Sequence, residues 1–328
     1  MRSRRIYGWG ESVVYHCVTR TVNGEMLFGG SEKEMMRRML RRIAEFSGVE
    51  VLTYAVMSNH VHVLVRVHEA AKAVSDAELI RRFRLLYPKP TEYQMMTIQV
   101  LEQALRENSE RGQQMREQLK ARMGNVSEFM KTLKQRFSIW FNRTRGRFGT
   151  LWCERFKSSV IHDCPEVLQV VGAYIELNPV RAGLVEDPKD YRFCGYAEAL
   201  AGDAVMRAGV CSLVGEACAK NALATYRMVI FGKGAVPKRL GEGWVIPEAS
   251  FDQVMQEQGQ LPLAILLRQR IRFLTDGAVI GSSQFVKSYI TAWSQRIGDR
   301  RRRKPTSCDE AVLSELHSFR NTRKSENP

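Results

Sequence analysis

Two histidines, a tyrosine and an asparagine offer the chemistry in this sequence. His60 and His62 flank Val61 within a run of β-branched residues. Side chains at i and i+2 of a strand project to one face. The two imidazoles therefore stand roughly 7 Å apart along the backbone, a workable spacing for two ligands on one metal ion. The same spacing fits two packed or surface histidines, and the pattern alone leaves both readings open. Tyr174 and Asn178 lie four residues apart in a helical stretch, where i and i+4 share a face. A carboxamide oxygen suits a hard divalent cation. A phenol has a pKa near 10 and attacks slowly unless it is activated; a cation that polarises a phosphate would help it. Taken alone, Tyr174 reads as a core aromatic and Asn178 as a helix cap ahead of Pro179.

Basic and aromatic residues surround these four. Between Lys134 and Lys157 there are seven Lys or Arg and one acidic residue, interleaved with Phe137, Trp140, Phe141, Phe148, Trp152 and Phe156. Cations track a phosphate backbone and aromatic rings stack on unpaired bases. The aromatics of the helical part are expected in the core. Arg143, Arg145 and Arg147, on a glycine-punctuated loop, are expected to contact phosphate, and Arg155, Lys157 and Arg181 are further candidates for DNA contact. The whole chain agrees: 50 Lys and Arg against 35 Asp and Glu give a net charge of +15, which suits a polyanionic partner.

Other classes recede. The seven Cys form no CxxC pair, against a disulfide framework or a zinc knuckle. No stretch approaches the roughly 18 apolar residues of a membrane span. The opening MRSRRIYGWGES has no apolar segment behind it, so it does not read as a secretory signal; a cytoplasmic protein without a membrane partner is expected.

The elements that must position these residues follow from periodicity. Residues 13–20 read as a strand, followed by a turn at Asn23-Gly24. A helix runs from a Ser31 cap to Phe46 and stops at Gly48. Residues 49–57 and 60–67 form a hairpin around Ser58-Asn59. Residues 126–143 make an amphipathic helix with Ser127 as its cap. A strand over 155–161 precedes a helix from Pro165 to about Leu177, ended by Pro179. The order is the ferredoxin-like β-α-β-β-α-β arrangement: an α+β fold with an antiparallel sheet and an added catalytic helix, followed by a mostly helical C-terminal region. The expected domains are 1–200 (with a helical insertion at about 70–125), a helical region over 201–299 and a basic, disordered tail over 300–328. Residues 237–247 read as a linker.

Three segments together, SNHVHVLV, GRFGTLWCERFKSSVI and YIELNPVRAGLV, resemble the single-tyrosine HUH transposases, in particular the REP-associated tyrosine transposases. The likeness covers about residues 10–67 and 126–200. It implies that His60 and His62 bind Mg²⁺ or Mn²⁺, with Asn178 where relatives carry a third polar ligand, often Gln. It implies that Tyr174 attacks a DNA phosphate to leave a 5′-phosphotyrosine link and a free 3′-OH, on single-stranded or hairpin DNA, as a monomer or homodimer. The stretch RQRIRFLTDGAVIGSSQFVKSYI is similar to the extension of longer relatives and suggests a DNA-binding helix-turn-helix, with Arg268, Arg270 and Arg272 near phosphate. The competing expectations are a non-catalytic nucleic-acid-binding protein on the same fold and a sequence-specific regulator. The insertion and the long C-terminal region depart from a minimal transposase and leave substrate and partner open.

Overall fold

The computed structural model describes residues 6–234, 278–298, 304–307 and 317–319. Four strands form the central sheet: β1 (Ser12–Arg20), β2 (Val49–Val56), β3 (His60–His68) and β4 (Lys157–Ile161). They lie in the order β2-β3-β1-β4 with every pair antiparallel, as the ferredoxin-like reading requires. Helix α1 (Gly30–Ser47) follows β1 and α5 (Val126–Arg145) precedes β4. The inserted segment supplies α2 (Asp76–Leu85), α3 (Glu92–Arg106) and α4 (Glu110–Lys120), capped by the side chains of Ser75, Thr91 and Ser109. Beyond β4 come α6 (Pro165–Glu176), the single turn α7 (Asn178–Arg181), α8 (Gly195–Leu200), α9 (Ala204–Val214) and α10 (Ala219–Gly234).

Two helical layers cover the sheet. On β2, Thr53 bonds Glu176 of α6, while its neighbour Tyr54 lies beside Arg41 of α1. Alternation along a strand puts these contacts on opposite faces, so α1 and α6 are on opposite sides. The core is continuous through the strands and both layers.

Several expectations need correction. Helix α1 starts two residues earlier than a Ser31 cap allows: Gly29 is its N-cap, and the Glu32 carboxylate accepts the Gly29 N–H at 2.9 Å. Asn125, not Ser127, caps α5, because its Oδ1 accepts the N–H groups of both Ser127 and Glu128. Pro179 does not end the helical path. It sits in the first turn of α7, where a missing N–H costs nothing, so the chain breaks at Leu177 and turns again. Among its described residues the C-terminal region is helical apart from three short strands that the sequence reading did not contain. β5 (Val279–Gly281) pairs parallel to β4, followed by β7 (His317–Phe319) and β6 (Thr306–Ser307), giving a seven-stranded mixed sheet. Helix α11 (Ser283–Ile297) follows β5. The expected linker at 237–247, Arg268, Arg270 and Arg272, and most of the basic tail lie outside the described residues. Among the described residues no helix is long and apolar enough to cross a membrane.

Candidate active site

The site is built on β1 and β3 beneath α6. In their register His62 faces Val18 and His16 faces Leu64, so the two histidines are diagonal neighbours on one face of the sheet. Their rings stack with centroids 5.1 Å apart, and His16 Nε2 lies 2.9 Å from His62 Nδ1. His60, two residues along, meets the His62 ring edge-on at 5.1 Å. From the opposing helix the Tyr174 ring sits edge-on to both, 5.8 Å from His62 and 6.1 Å from His16. His16, His62 and Tyr174 are buried, and His60 is half-buried at the rim. The strand spacing thus does what the sequence led one to expect, and the fold brings the tyrosine helix to it.

Hydrogen bonds define the protonation of the rim histidine. Asn59 donates its Nδ2 to the Gly24 carbonyl at 3.0 Å. Its Oδ1 therefore faces His60 Nδ1, 2.6 Å away. A carboxamide oxygen only accepts, so His60 Nδ1 carries the proton of this bond. Burial holds the His62 imidazole well below its ordinary pKa, helped by His60, His16, Arg20 and Arg181. It is neutral at physiological pH, the form that binds metals.

Arg181 comes from α7 and lies over the Tyr174 ring at 4.6 Å. Its Nη1 donates to the Tyr174 carbonyl at 3.1 Å, while its Nη2 is buried without a hydrogen-bond partner among the described residues. Burial pushes this guanidinium down to about 10, which still leaves it charged. A buried unpaired donor is costly and is what an arriving phosphate oxygen would satisfy. Asn178 closes the end of α6, donating Nδ2 to the carbonyls of Tyr174 and Ile175 at 3.0 Å each. Its Oδ1 is the atom with ligand capacity.

Does this donor set fit a divalent ion? Among the described residues no three His, Cys, Asp or Glu side chains group so as to hold one, and His16 bonds His62. The candidate donors are the imidazoles of His60 and His62 on β3 and the Asn178 carboxamide oxygen on α7. Each imidazole has its Nδ1 engaged by a neighbour, Asn59 or His16, as metal-ligating histidines commonly do. Imidazole nitrogen and carboxamide oxygen are donor types that divalent ions take.

The other basic residues divide. Arg145 bonds the buried Glu32, with Nε to Oε1 at 2.9 Å, and Arg147 lies 3.8 Å from Glu25. Lys157 pairs with Glu154 at 3.6 Å. Arg143 and Arg155 are exposed. Sequence reasoning missed His16 and Asn59. The available signal for His16 was a polar residue within an otherwise apolar strand; Asn59 was read only as a turn. Other tyrosines are engaged elsewhere: the Tyr15 hydroxyl accepts from the Gly8 N–H at 2.9 Å and that of Tyr191 donates to the Val56 carbonyl at 2.7 Å.

By architecture this is an α+β protein with a ferredoxin-like sheet carrying a histidine cluster under a tyrosine-bearing helix. Residues 11–84, from β1 to α2, match the family of IS200-like transposases. That segment holds His16, His60 and His62 and ends before Tyr174. The chain is also similar to a solved REP-associated tyrosine transposase bound to a REP hairpin, at 14% identity and a TM-score of 0.39, over 62% of this chain and 87% of that one. No curated protein matches the chain.

Proposed function

We propose that the chain cuts and rejoins single-stranded DNA as a metal-dependent tyrosine transposase. The match of residues 11–84 to the IS200-like transposases supports the class. The observation that carries the chemistry is the Tyr174 ring edge-on to both His16 and His62, with the Arg181 guanidinium over its face.

Tyr174 is the nucleophile. Its phenolic oxygen bonds to phosphorus while the bond from phosphorus to the 3′-oxygen breaks. The net proton passes from the phenol to the departing 3′-hydroxyl, leaving a 5′-phosphotyrosine. Attack by another 3′-OH reverses the step and restores the phenol, so no external energy source is needed. His60, His62 and Asn178 would hold Mg²⁺ or Mn²⁺, which when bound supplies positive charge to the phosphate oxygens. Arg181 offers its unpaired Nη2 to the same phosphate, and Arg143 and Arg155 track the strand. Arg145, Arg147 and Lys157 are weaker DNA contacts, since each is paired with a carboxylate.

The test is incubation with hairpin-containing single-stranded DNA and Mn²⁺, followed by denaturing electrophoresis for a covalent adduct. The wild-type protein is expected to form it. Tyr174→Phe is expected to lose the adduct and keep DNA affinity, and His60→Ala to lose cleavage. An adduct that persists in Tyr174→Phe overturns the assignment of the nucleophile; binding without any adduct in either metal leaves a nucleic-acid-binding protein.

A further inference from the structure

Of the aromatics that punctuate the basic stretch, the structure buries all but one deeply or in part. Phe137, Phe141, Trp152 and Phe156 are core residues and Trp140 packs against the core, whereas Phe148 is 94% exposed. Leaving such a ring in water forgoes the stabilisation that burial would give it.

The loop that carries Phe148 is held on both sides. The Arg147 N–H donates to the Asn142 carbonyl at 2.9 Å, and Asn142 Nδ2 donates to the Gly149 carbonyl at 3.0 Å. Gly146 and Gly149 adopt φ of +58° and +87° with no atom near a would-be Cβ. Glycine is therefore required there by backbone conformation and not by space. Arg145 anchors one flank to buried Glu32 and Arg147 leans on Glu25. The ring is presented on a pre-shaped turn, so little ordering remains to be done when something binds it.

The location joins it to the site. Just past the loop, Leu151 accepts from the Val22 N–H at 2.9 Å and the Cys153 N–H donates to Arg20 at 3.1 Å. Thr21 in turn donates to Asn59 at 2.9 Å, the residue that holds His60. These contacts tie the segment that follows Phe148 to Thr21 and, through it, to Asn59, while Arg143, Arg155 and Arg20 are exposed. One ring among cations and glycines is too small an apolar surface for a protein interface. It has the make-up of a stacking position on a single strand.

We propose that Phe148 is a base-stacking platform that takes one unpaired nucleobase of a bound single strand. This rests on the single-stranded-DNA part of the proposed function but not on its chemistry.

The test is fluorescence anisotropy with a labelled oligothymidine, comparing wild type with Phe148→Ala, Phe148→Leu, Phe148→Tyr and Phe148→Trp, together with oligonucleotides carrying one abasic position moved along the strand. Stacking on one base corresponds to a loss of roughly 5- to 100-fold in Phe148→Ala. Phe148→Leu is expected to lose as much, while Tyr and Trp retain affinity. One abasic position should weaken the wild type and add nothing to Phe148→Ala. Thermal melting should not fall in any variant, because the ring packs against nothing. Equal affinity of wild type and Phe148→Ala, or full rescue by Leu, overturns the platform and leaves the enzyme reading intact. A wild type that does not bind single strands overturns both. A Phe148 effect without any covalent adduct upholds the platform and overturns the enzyme.

Discussion

At the scale of single residues, the site is a set of imidazoles whose tautomers are fixed by their neighbours. Asn59 takes the proton side of His60, and His16 contacts the same nitrogen of His62. For His62 to present a lone pair on Nε2, its Nδ1 must donate and His16 must accept. His16→Leu removes that acceptor, and Mn²⁺ affinity by isothermal titration calorimetry is expected to fall about 10- to 100-fold. His16→Gln, which restores a carbonyl oxygen, is expected to recover much of it. If Gln and Leu lose equally while both melt like the wild type, His16 does not set the tautomer. With imidazoles as the principal donors, Mn²⁺ should also bind more tightly than Mg²⁺ in the same titration.

At the scale of elements, the tyrosine helix is located by polar contacts to β2 and α8. Glu176, two residues beyond Tyr174, receives the Thr53 hydroxyl of β2 and the Tyr196 N–H of α8 at 2.9 Å. Burial raises its carboxyl to about 7, offset by bonds from Thr53, Cys194 and the Tyr196 N–H. A raised carboxyl keeps its proton in the folded state while the unfolded chain releases it near 4.5. Stability contributed by this group is therefore lost as pH rises from about 4.5 to 7, on the order of 3 kcal/mol in all. Glu176→Gln, which resembles the protonated acid, should flatten that slope and melt higher than wild type at pH 8. Parallel melting curves from pH 5 to 8 for the two proteins would rule this out. At the entry side of α6, Arg66 of β3 grips Asp163 with two bonds of 2.7 and 2.8 Å, fixing where the helix leaves the sheet.

At the scale of the whole molecule, the excess of 15 positive charges makes any nucleic-acid affinity fall with salt. The slope of log affinity against log salt should drop by about 0.7 for each cation that contacts a single strand. Arg143→Ala is expected to show this drop with an unchanged melting temperature. Arg145→Ala is expected to leave the slope nearly unaltered and to lower the melting temperature, because it strips the partner from buried Glu32. The reverse pattern would mean that Arg145 reads phosphate and its ion pair with Glu32 is incidental.

Local pattern sufficed for the strands β1 to β4 and the helices α1, α5 and α6, since alternation and 3.6-residue periodicity are properties of neighbouring residues. It also placed His60 and His62 on one face, because the two-residue repeat of a strand requires it. Helix caps were less legible: Gly29, whose N–H is taken by the Glu32 carboxylate, and Asn125 displaced Ser31 and Ser127. What no window of sequence contained was distance. That His16 of β1 touches His62 follows from strand register, that Tyr174 reaches both follows from the packing of α6, and that β5 extends the sheet follows from parallel pairing across more than a hundred residues. The composition of the basic loop was readable, but only tertiary packing decided which ring it left outside. Phe137, Phe141 and Trp152 meet Phe28 around α5, and Phe137 meets the other two, while Phe148 stays exposed.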